Sequence, residues 1–490
     1  MIRRIACALL VGSTLLTACK KETPIRITLS QPEVLLEGLP ESQTTCRIAA
    51  SGAWTLTVEG DGFEVAPRAG GAGETLLAIT GTAENTDDVR RTLGSVVLHP
   101  VGPGATQSLR VLQRPAVAPK SFFFFFIGTS LQEFFDRNLE QALRDMDASM
   151  PGDGRVAAFR RRVSEERTVW EIVELHYDAA QGKSVMTSVE QFAQIDRKDP
   201  AFITRIVEKM QSRFPAREYG LAFGGHGSGW LPVGSSVYGP STSVSSFAER
   251  KIAADGYPIT RYYGESGSAF EVDEIAASLA ATGTLFDYII FDDCFMSNVE
   301  SLYALRNTAR YIIASPCEVM GDGFPYQYVI PSVMTPGAAL EARLQTVCEK
   351  YYGFYLNEYD PRYPSGCVAM VDCSRLEALA EAARPLFATG AATSDPTQLQ
   401  PYEGLPRHLF YDFRQYAEQI SRDAGALENF LRQFDLTFPP ACRLHTPSFY
   451  SWYSRPDMIP VTYYSGVTCS APSTLYRDAN RQTAWWLATH

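Results

Sequence analysis

The sequence predicts an α/β protein in two parts: a small all-β sandwich of the immunoglobulin type, then a larger domain built on a mostly parallel sheet flanked by helices. Three observations carry this. Residues 25–114 hold short alternating runs broken by Gly- and Asn-rich turns, with no helical period. From Lys120 onward, strand and helix patterns alternate, as parallel strands joined by crossover helices require. Two of the apolar runs then end in segments rich in reactive residues, Gly224-Gly225-His226-Gly227-Ser228-Gly229-Trp230 and Asp292-Asp293-Cys294-Phe295-Met296.

The first 18 residues read as an export signal and stand outside the fold. Arg3 and Arg4 precede an apolar stretch, Ile5 to Leu16, too short to span a bilayer. It ends in Leu16-Thr17-Ala18-Cys19, which resembles a bacterial lipoprotein signal. The resemblance implies that Cys19 is lipidated as the first residue of the mature chain. The protein is then expected at the cell envelope as an outer-membrane lipoprotein, periplasmic or surface-facing, with the acyl anchor as its membrane attachment.

Residues 25–114 follow, with alternating runs such as Trp54-Thr55-Leu56-Thr57-Val58 and Ser95-Val96-Val97-Leu98. Ala53-Trp54-Thr55, Pro67 before a glycine cluster, Asn85-Thr86 before Arg90-Arg91-Thr92, and Ser108 to Gln113 resemble the BACON domain of bacterial surface proteins. That resemblance allows carbohydrate binding; a spacer role is the preferred expectation, with Trp54 in the core. Pro115-Ala116-Val117-Ala118-Pro119 makes a short stiff linker. In the 120–490 domain, Phe122 to Ile127 is continuously apolar, as a strand covered on both faces should be. Ser130 and Glu133 form a capping-box pattern ahead of Leu131, Phe135, Leu139 and Ala142 at helical spacing. Val169 to Leu175 is a second strand, and Asp199-Pro200 opens a helix with Ile203, Ile206, Val207, Met210 and Phe214 inward. The His-bearing strand, the Cys-bearing strand, a helix with Val299 and Leu302 inward, and the strand Tyr311 to Ala314 complete the pattern.

A net charge of −11 argues against nucleic acid as a partner, because a phosphate backbone needs a basic face. Of ten cysteines, setting aside Cys7, Cys19 and Cys294 leaves seven, an odd number. Cys367 and Cys373 lie on one apparent strand, Gly366 to Cys373, too far apart to pair with each other. Buried thiols are expected, without a disulfide framework.

A histidine and a cysteine at the carboxyl ends of two strands of an open sheet sit where such sheets bind ligands. A free thiol is mostly protonated at neutral pH, and an imidazole beside it can take the proton. The amides of Gly227 and Cys294 are candidate donors to a developing oxyanion. If the strand stays regular, Asp292 projects to the same side as Cys294 and Asp293 away from it, so Asp292 suits a pocket for a cation.

From Lys120 to His490 the chain resembles the clostripain family of cysteine peptidases, caspase-like in fold. The matching pieces are Phe122 to Ser130, Gly225 to Trp230, Phe291 to Met296, Ala314 to Glu318 running into Gly321 to Tyr326, Tyr464 to Val467, and Trp485-Trp486. The resemblance implies an endopeptidase with a His226–Cys294 dyad, cleaving protein or peptide substrates after Arg or Lys, with acidic specificity positions at Asp292 and Asp322. It implies no cofactor, with calcium dependence open. Family members are often cut between the His and Cys segments, so self-cleavage is expected in Val233 to Ser268, which holds Arg250, Lys251 and Arg261, foremost after Arg250 or Lys251. Two departures stand out: Asp293 precedes the nucleophile where a small residue is usual, and Gly224-Gly225 precedes the histidine. The rival reading is an inactive surface adhesin or glycan-binding protein on a peptidase scaffold.

Overall fold

The computed structural model describes residues 23–128, 130–144, 146, 153–163, 167–178, 181–193, 195–235, 257–261, 269–388 and 395–490. The signal segment, Cys19, Arg250 and Lys251 lie outside the described residues. The chain divides into two compact units, one running to Asn85 and resuming over Arg91–Arg114, the other holding Thr86–Arg90 and Pro115–His490.

The first unit has a four-stranded and a five-stranded sheet. Strands Gln43–Ala50 and Gly73–Gly81 pair antiparallel in one, and Trp54–Gly60, Arg91–Pro100 and Gln107–Gln113 in the other. Alternate residues of both turn inward, and Ile48, Leu77, Ile79, Val96, Leu98, Leu109 and Val111 form one core. Trp54 belongs to that core.

The second unit is built on an eight-stranded sheet. In chain order its strands are β1 (Ala118–Phe126), β2 (Arg155–Val163), β3 (Thr168–Asp178), β4 (Lys183–Phe192), β5 (Ala216–Gly224), β6 (Phe286–Asp292), β7 (Ala309–Ala314) and β8 (Ala369–Asp372). Their spatial order is β4-β3-β2-β1-β5-β6-β7-β8. The middle pairings, from β2 through β1, β5 and β6 to β7, are parallel, while β3, β4 and β8 attach antiparallel.

The phenylalanine run of β1 shows why this strand lies at the centre. Phe123 and Phe125 enter the core on one face, Phe122, Phe124 and Phe126 the core on the other, and all are buried. The first face is covered by α2 (Ala201–Arg213) and α3 (Val272–Ala280), the second by α1 (Gln132–Arg144), α5 (Tyr326–Met334) and α6 (Leu340–Asn357). A short α4 (Val299–Ala304) follows the Cys-bearing turn. Helix α2 begins one residue later than its Asp199-Pro200 signal suggests, though Asp199 Oδ1 still accepts from the Ala201 amide at 3.0 Å. The cysteines among the described residues, Cys46, Cys294, Cys317, Cys348, Cys367, Cys373, Cys442 and Cys469, are buried free thiols. The strand read over Gly366 to Cys373 is shorter, Ala369–Asp372, because Cys373 already begins a tight turn capped by Asp372.

Gly220 on β5 lies opposite Tyr288 on β6, and a methyl group there would stand 2.1 Å from the Tyr288 ring. Gly220→Ala is expected to lower stability by about 1–3 kcal/mol through overpacking, read as a reduced urea midpoint at unchanged slope. An unchanged midpoint would contradict this packing.

Candidate active site

Strands β5 and β6 pair in parallel with Gly224 opposite Asp292, so both chains leave the sheet at one level. His226 and Cys294 each come two residues later. The two loops are in direct contact. The Gly225 amide donates to Asp293 Oδ1, and a Cβ at Gly227 would stand 2.4 Å from Cys294 O and 2.8 Å from its N. Only glycine lets the His loop lie against the Cys turn this closely. Phe295, next after the cysteine, adopts φ 62°, a left-handed conformation that costs a bulky residue about 1–2 kcal/mol. Its amide donates to Cys317 O at 3.1 Å and its ring stacks on Phe410 at 4.8 Å, which holds the turn.

The strand ends at Asp292, so its regular alternation stops short of Cys294; Asp292 and Asp293 nevertheless project to opposite sides. Cys294 Sγ accepts from the Val319 amide at 3.2 Å and lies 3.8 Å from Val319 O. Burial pushes the thiol well above its usual range, with Glu318 and Asp293 adding to the rise and the Val319 amide opposing it. Burial thus favours the neutral thiol. His226 Nε2 lies 2.6 Å from Ser130 Oγ, so a hydroxyl read from sequence as a helix cap meets the imidazole. Asp293 is also buried; burial and the adjacent Asp292 push its carboxyl up to about 8, against the Gly225 amide. Its burial therefore favours the neutral acid.

Residues 257–261 bring a third strand-like segment into the cleft. The Arg261 amide donates to Val319 O at 2.7 Å, Gly321 N donates to Ile259 O at 2.6 Å, and Thr260 bridges Met320 antiparallel. The Arg261 side chain is fully buried. Its guanidinium meets Asp292 Oδ2 at 2.6 Å and donates to Asp292 O and Gly321 O, each at 3.1 Å, and to Asn138 Oδ1 at 2.6 Å. Phe135 lies beneath it at 5.2 Å, and Tyr326 donates to Asp292 Oδ2 at 2.8 Å. Gly323, at φ 68°, leaves the space, since a Cβ there would stand 2.2 Å from a guanidinium nitrogen. The carbonyl of Arg261 accepts from the Gly227 amide at 3.3 Å. Asp292 and Gly227, two residues singled out in the sequence, thus hold the two ends of a single arginine.

Asp322 is placed differently from its expected role. It pairs with Arg137 at 3.0 Å and meets Arg261 only through Asn138, whose Nδ2 donates to Asp322 O at 2.7 Å. Sequence reasoning missed Asn138, Gly323 and Tyr326. Asn138 left one signal: an amide within the apolar stripe of α1, next to Leu139. Among the described residues, no group of three or more His, Cys, Asp or Glu side chains is placed to hold a metal ion.

The model of the clostripain family, peptidase family C11, matches residues 171–395. A clostripain from Bacteroides thetaiotaomicron is 30% identical over 47% of this chain and 99% of its own, with a TM-score of 0.42. The chain belongs to the clostripain family. It is a cysteine peptidase, and peptides are its substrates. The caspase-like sheet is shared with iotapain, a secreted C11 cysteine protease from Bacteroides thetaiotaomicron, at 26% identity over 76% of this chain and all of that one, TM-score 0.63. An inactive zymogen C11 protease from Parabacteroides distasonis is similar at 24% identity over 77% of this chain and 99% of its own, TM-score 0.61. No curated protein sequence matches the chain significantly.

Asp293 makes the stability of this clostripain-family fold pH-dependent. Its folded-state value of about 8 against an ordinary 3.8 means that ionisation disfavours the native state. The stabilisation is complete below about pH 4 and is lost as pH rises through 8. Asp293→Asn keeps the acceptor for Gly225 and removes the titration. Its stability relative to the wild type should rise by about 1 kcal/mol or more between pH 3.5 and pH 9 in urea unfolding. A wild-type-to-variant difference that does not change with pH would contradict the buried acid.

Proposed function

We propose that this peptidase is an endopeptidase cutting after Arg and Lys, with Cys294 as nucleophile and His226 as its base, held at the cell envelope through lipid on Cys19. The observation that carries the specificity is Arg261, whose side chain fills the Asp292 pocket while its carbonyl faces the Gly227 amide. A residue so held has the placement of a substrate residue before the scissile bond. Asp292 is fully buried; burial raises its carboxyl, and Arg261 and Tyr326 counteract the rise. A pocket of this kind needs a cation, since a buried carboxylate without a partner is strongly disfavoured.

In the reaction, the thiol proton of Cys294 passes to His226 and the sulfur attacks the carbonyl carbon. The Gly227 and Cys294 amides receive the oxyanion. The imidazolium then protonates the departing amine, and water hydrolyses the acyl-cysteine. Uncut, the chain holds its own segment in the cleft with a protonated thiol, a resting precursor. Arg261, a basic residue of the expected stretch, is held as self-cleavage requires. The N-terminal sandwich serves as a spacer above the lipid anchor, and the burial of Trp54 removes the obvious sugar platform.

Cleavage-site mapping on a denatured protein mixture tests the specificity. Wild-type protein should cut after Arg and Lys, and Cys294→Ala should not cut. Asp292→Asn should lower the Arg-over-Leu preference by about tenfold or more, since hydrogen bonds to charged groups contribute ~1.5–3 kcal/mol. Asp322→Asn should change it little, because Arg137 occupies that carboxylate. Equal cleavage after Arg and Leu by the wild type would contradict the proposal.

A further inference from the structure

We propose that Cys317 and Cys367 are a disulfide site, and that the bond fastens the loop backing the nucleophile turn. The two residues lie far apart in sequence but share a small core with Tyr402 and Phe449, and both are fully buried. Their thiols meet there, with Cys367 donating to the Cys317 sulfur. A disulfide draws its two sulfurs to about 2 Å, so contact between them is the condition the bond starts from. The sequence offered Cys373 as the near neighbour of Cys367, whereas the fold supplies a partner from the loop after β7.

The turn that carries the nucleophile leans on this loop. Cys317 O accepts from the Phe295 amide at 3.1 Å, Ser315 O accepts from the Ser297 amide at 2.9 Å, and the Val319 amide donates to Cys294 Sγ at 3.2 Å. Cys367, in contrast, lies in a backbone ladder away from the nucleophile. Val368 and Leu444 exchange two hydrogen bonds, at 2.9 and 3.0 Å, and the Thr446 amide donates to Gly366 O at 3.2 Å. A covalent bond between the two sulfurs ties the loop to this ladder. In the exchange that forms it, the Cys367 thiolate attacks a sulfur of a small disulfide, such as glutathione disulfide, and expels one glutathione thiolate. The Cys317 thiolate then attacks the Cys367 sulfur and expels the second. Two protons and two electrons leave the chain, and two glutathione thiols are formed. The Cys317 contact and burial raise the Cys367 thiol well above its usual range, and Thr446 opposes the rise. Exchange therefore proceeds while this region is open, as when an exported chain folds in an oxidising compartment.

The test uses the uncut Cys294→Ala chain, so that neither self-cleavage nor the nucleophile's own thiol intrudes. The chain is opened in urea with reduced and oxidised glutathione, returned to native conditions, blocked with N-ethylmaleimide and digested for mass spectrometry. A peptide pair joined through Cys317 and Cys367, and lost on adding dithiothreitol, is expected. Cys317 and Cys367 both blocked as free thiols, or Cys367 joined to a different cysteine, would overturn the proposal. Hydrogen exchange then reads the fastening. The Phe295 and Ser297 amides should exchange several-fold more slowly in the oxidised chain than in the reduced one, and Cys367→Ser should largely lose this dependence. Equal rates in the oxidised and reduced parent would overturn the fastening. If Cys367→Ser fails to fold, the mapped bond and the comparison within the parent still decide the matter. None of these readouts involves a substrate, so a failure of the basic specificity would leave them standing.

Discussion

The contact between Arg261 and Asp292, 2.6 Å long and fully buried, organises the end of the sheet. Removing two charges from water costs several kcal/mol per ion, and that cost is offset by an acceptor at each guanidinium nitrogen. Asp292 supplies a carboxylate and a carbonyl, Gly321 a carbonyl and Asn138 an amide oxygen. Holding these together draws α1, the turn after β6 and the 319–323 loop into one wall. The same contact fixes the register of residues 257–261 along the cleft, which sets the Arg261 carbonyl on the Gly227 amide. One residue of the chain thus spans the Asp292 pocket and the histidine loop.

The sheet provides the rest of the geometry. Parallel strands ending at one level deliver a histidine and a cysteine to the same edge without any local sequence contact between them. The glycines then do what larger residues cannot. Gly227 lets the loops touch, and Gly323 leaves a slot of guanidinium depth. Asp293 and Cys294 both lie in this apolar, water-poor edge, and burial keeps each mostly protonated. On the proposed reading, the uncut chain stores a neutral nucleophile beside an occupied pocket.

Much of this was legible in the sequence. The continuous phenylalanines of β1 marked the sheet centre, whereas the strand ends at Asp292, so its alternation does not carry to Cys294, and the adjoining acid that bears on the thiol is Asp293. What escaped had physical reasons. Strand β2 carries Arg160-Arg161-Arg162, and such a run reads as solvated until Glu171 on the neighbouring β3 is seen to pair with Arg160 and Arg162. Strand β4 lies at the sheet edge, with no buried residue to give it a period. Residues 257–261 pair with 319–321, a long-range partner that no local pattern reveals, so Arg261 read as one basic residue of a loop. Ser130 showed a cap signature, while its contact with His226 spans 96 residues. Glu318 sat in a motif but carried no sign of what it faced.

On the proposed reading, Arg261 occupies the cleft as the chain's own first substrate. Intact-mass measurement and N-terminal sequencing of purified wild type, run beside Cys294→Ala, test it directly. A new N-terminus at Tyr262 is expected in the wild type and none in the variant. A wild-type chain that stays whole and fully active, or one cut first after Arg250 or Lys251 with the bond after Arg261 intact, would contradict it.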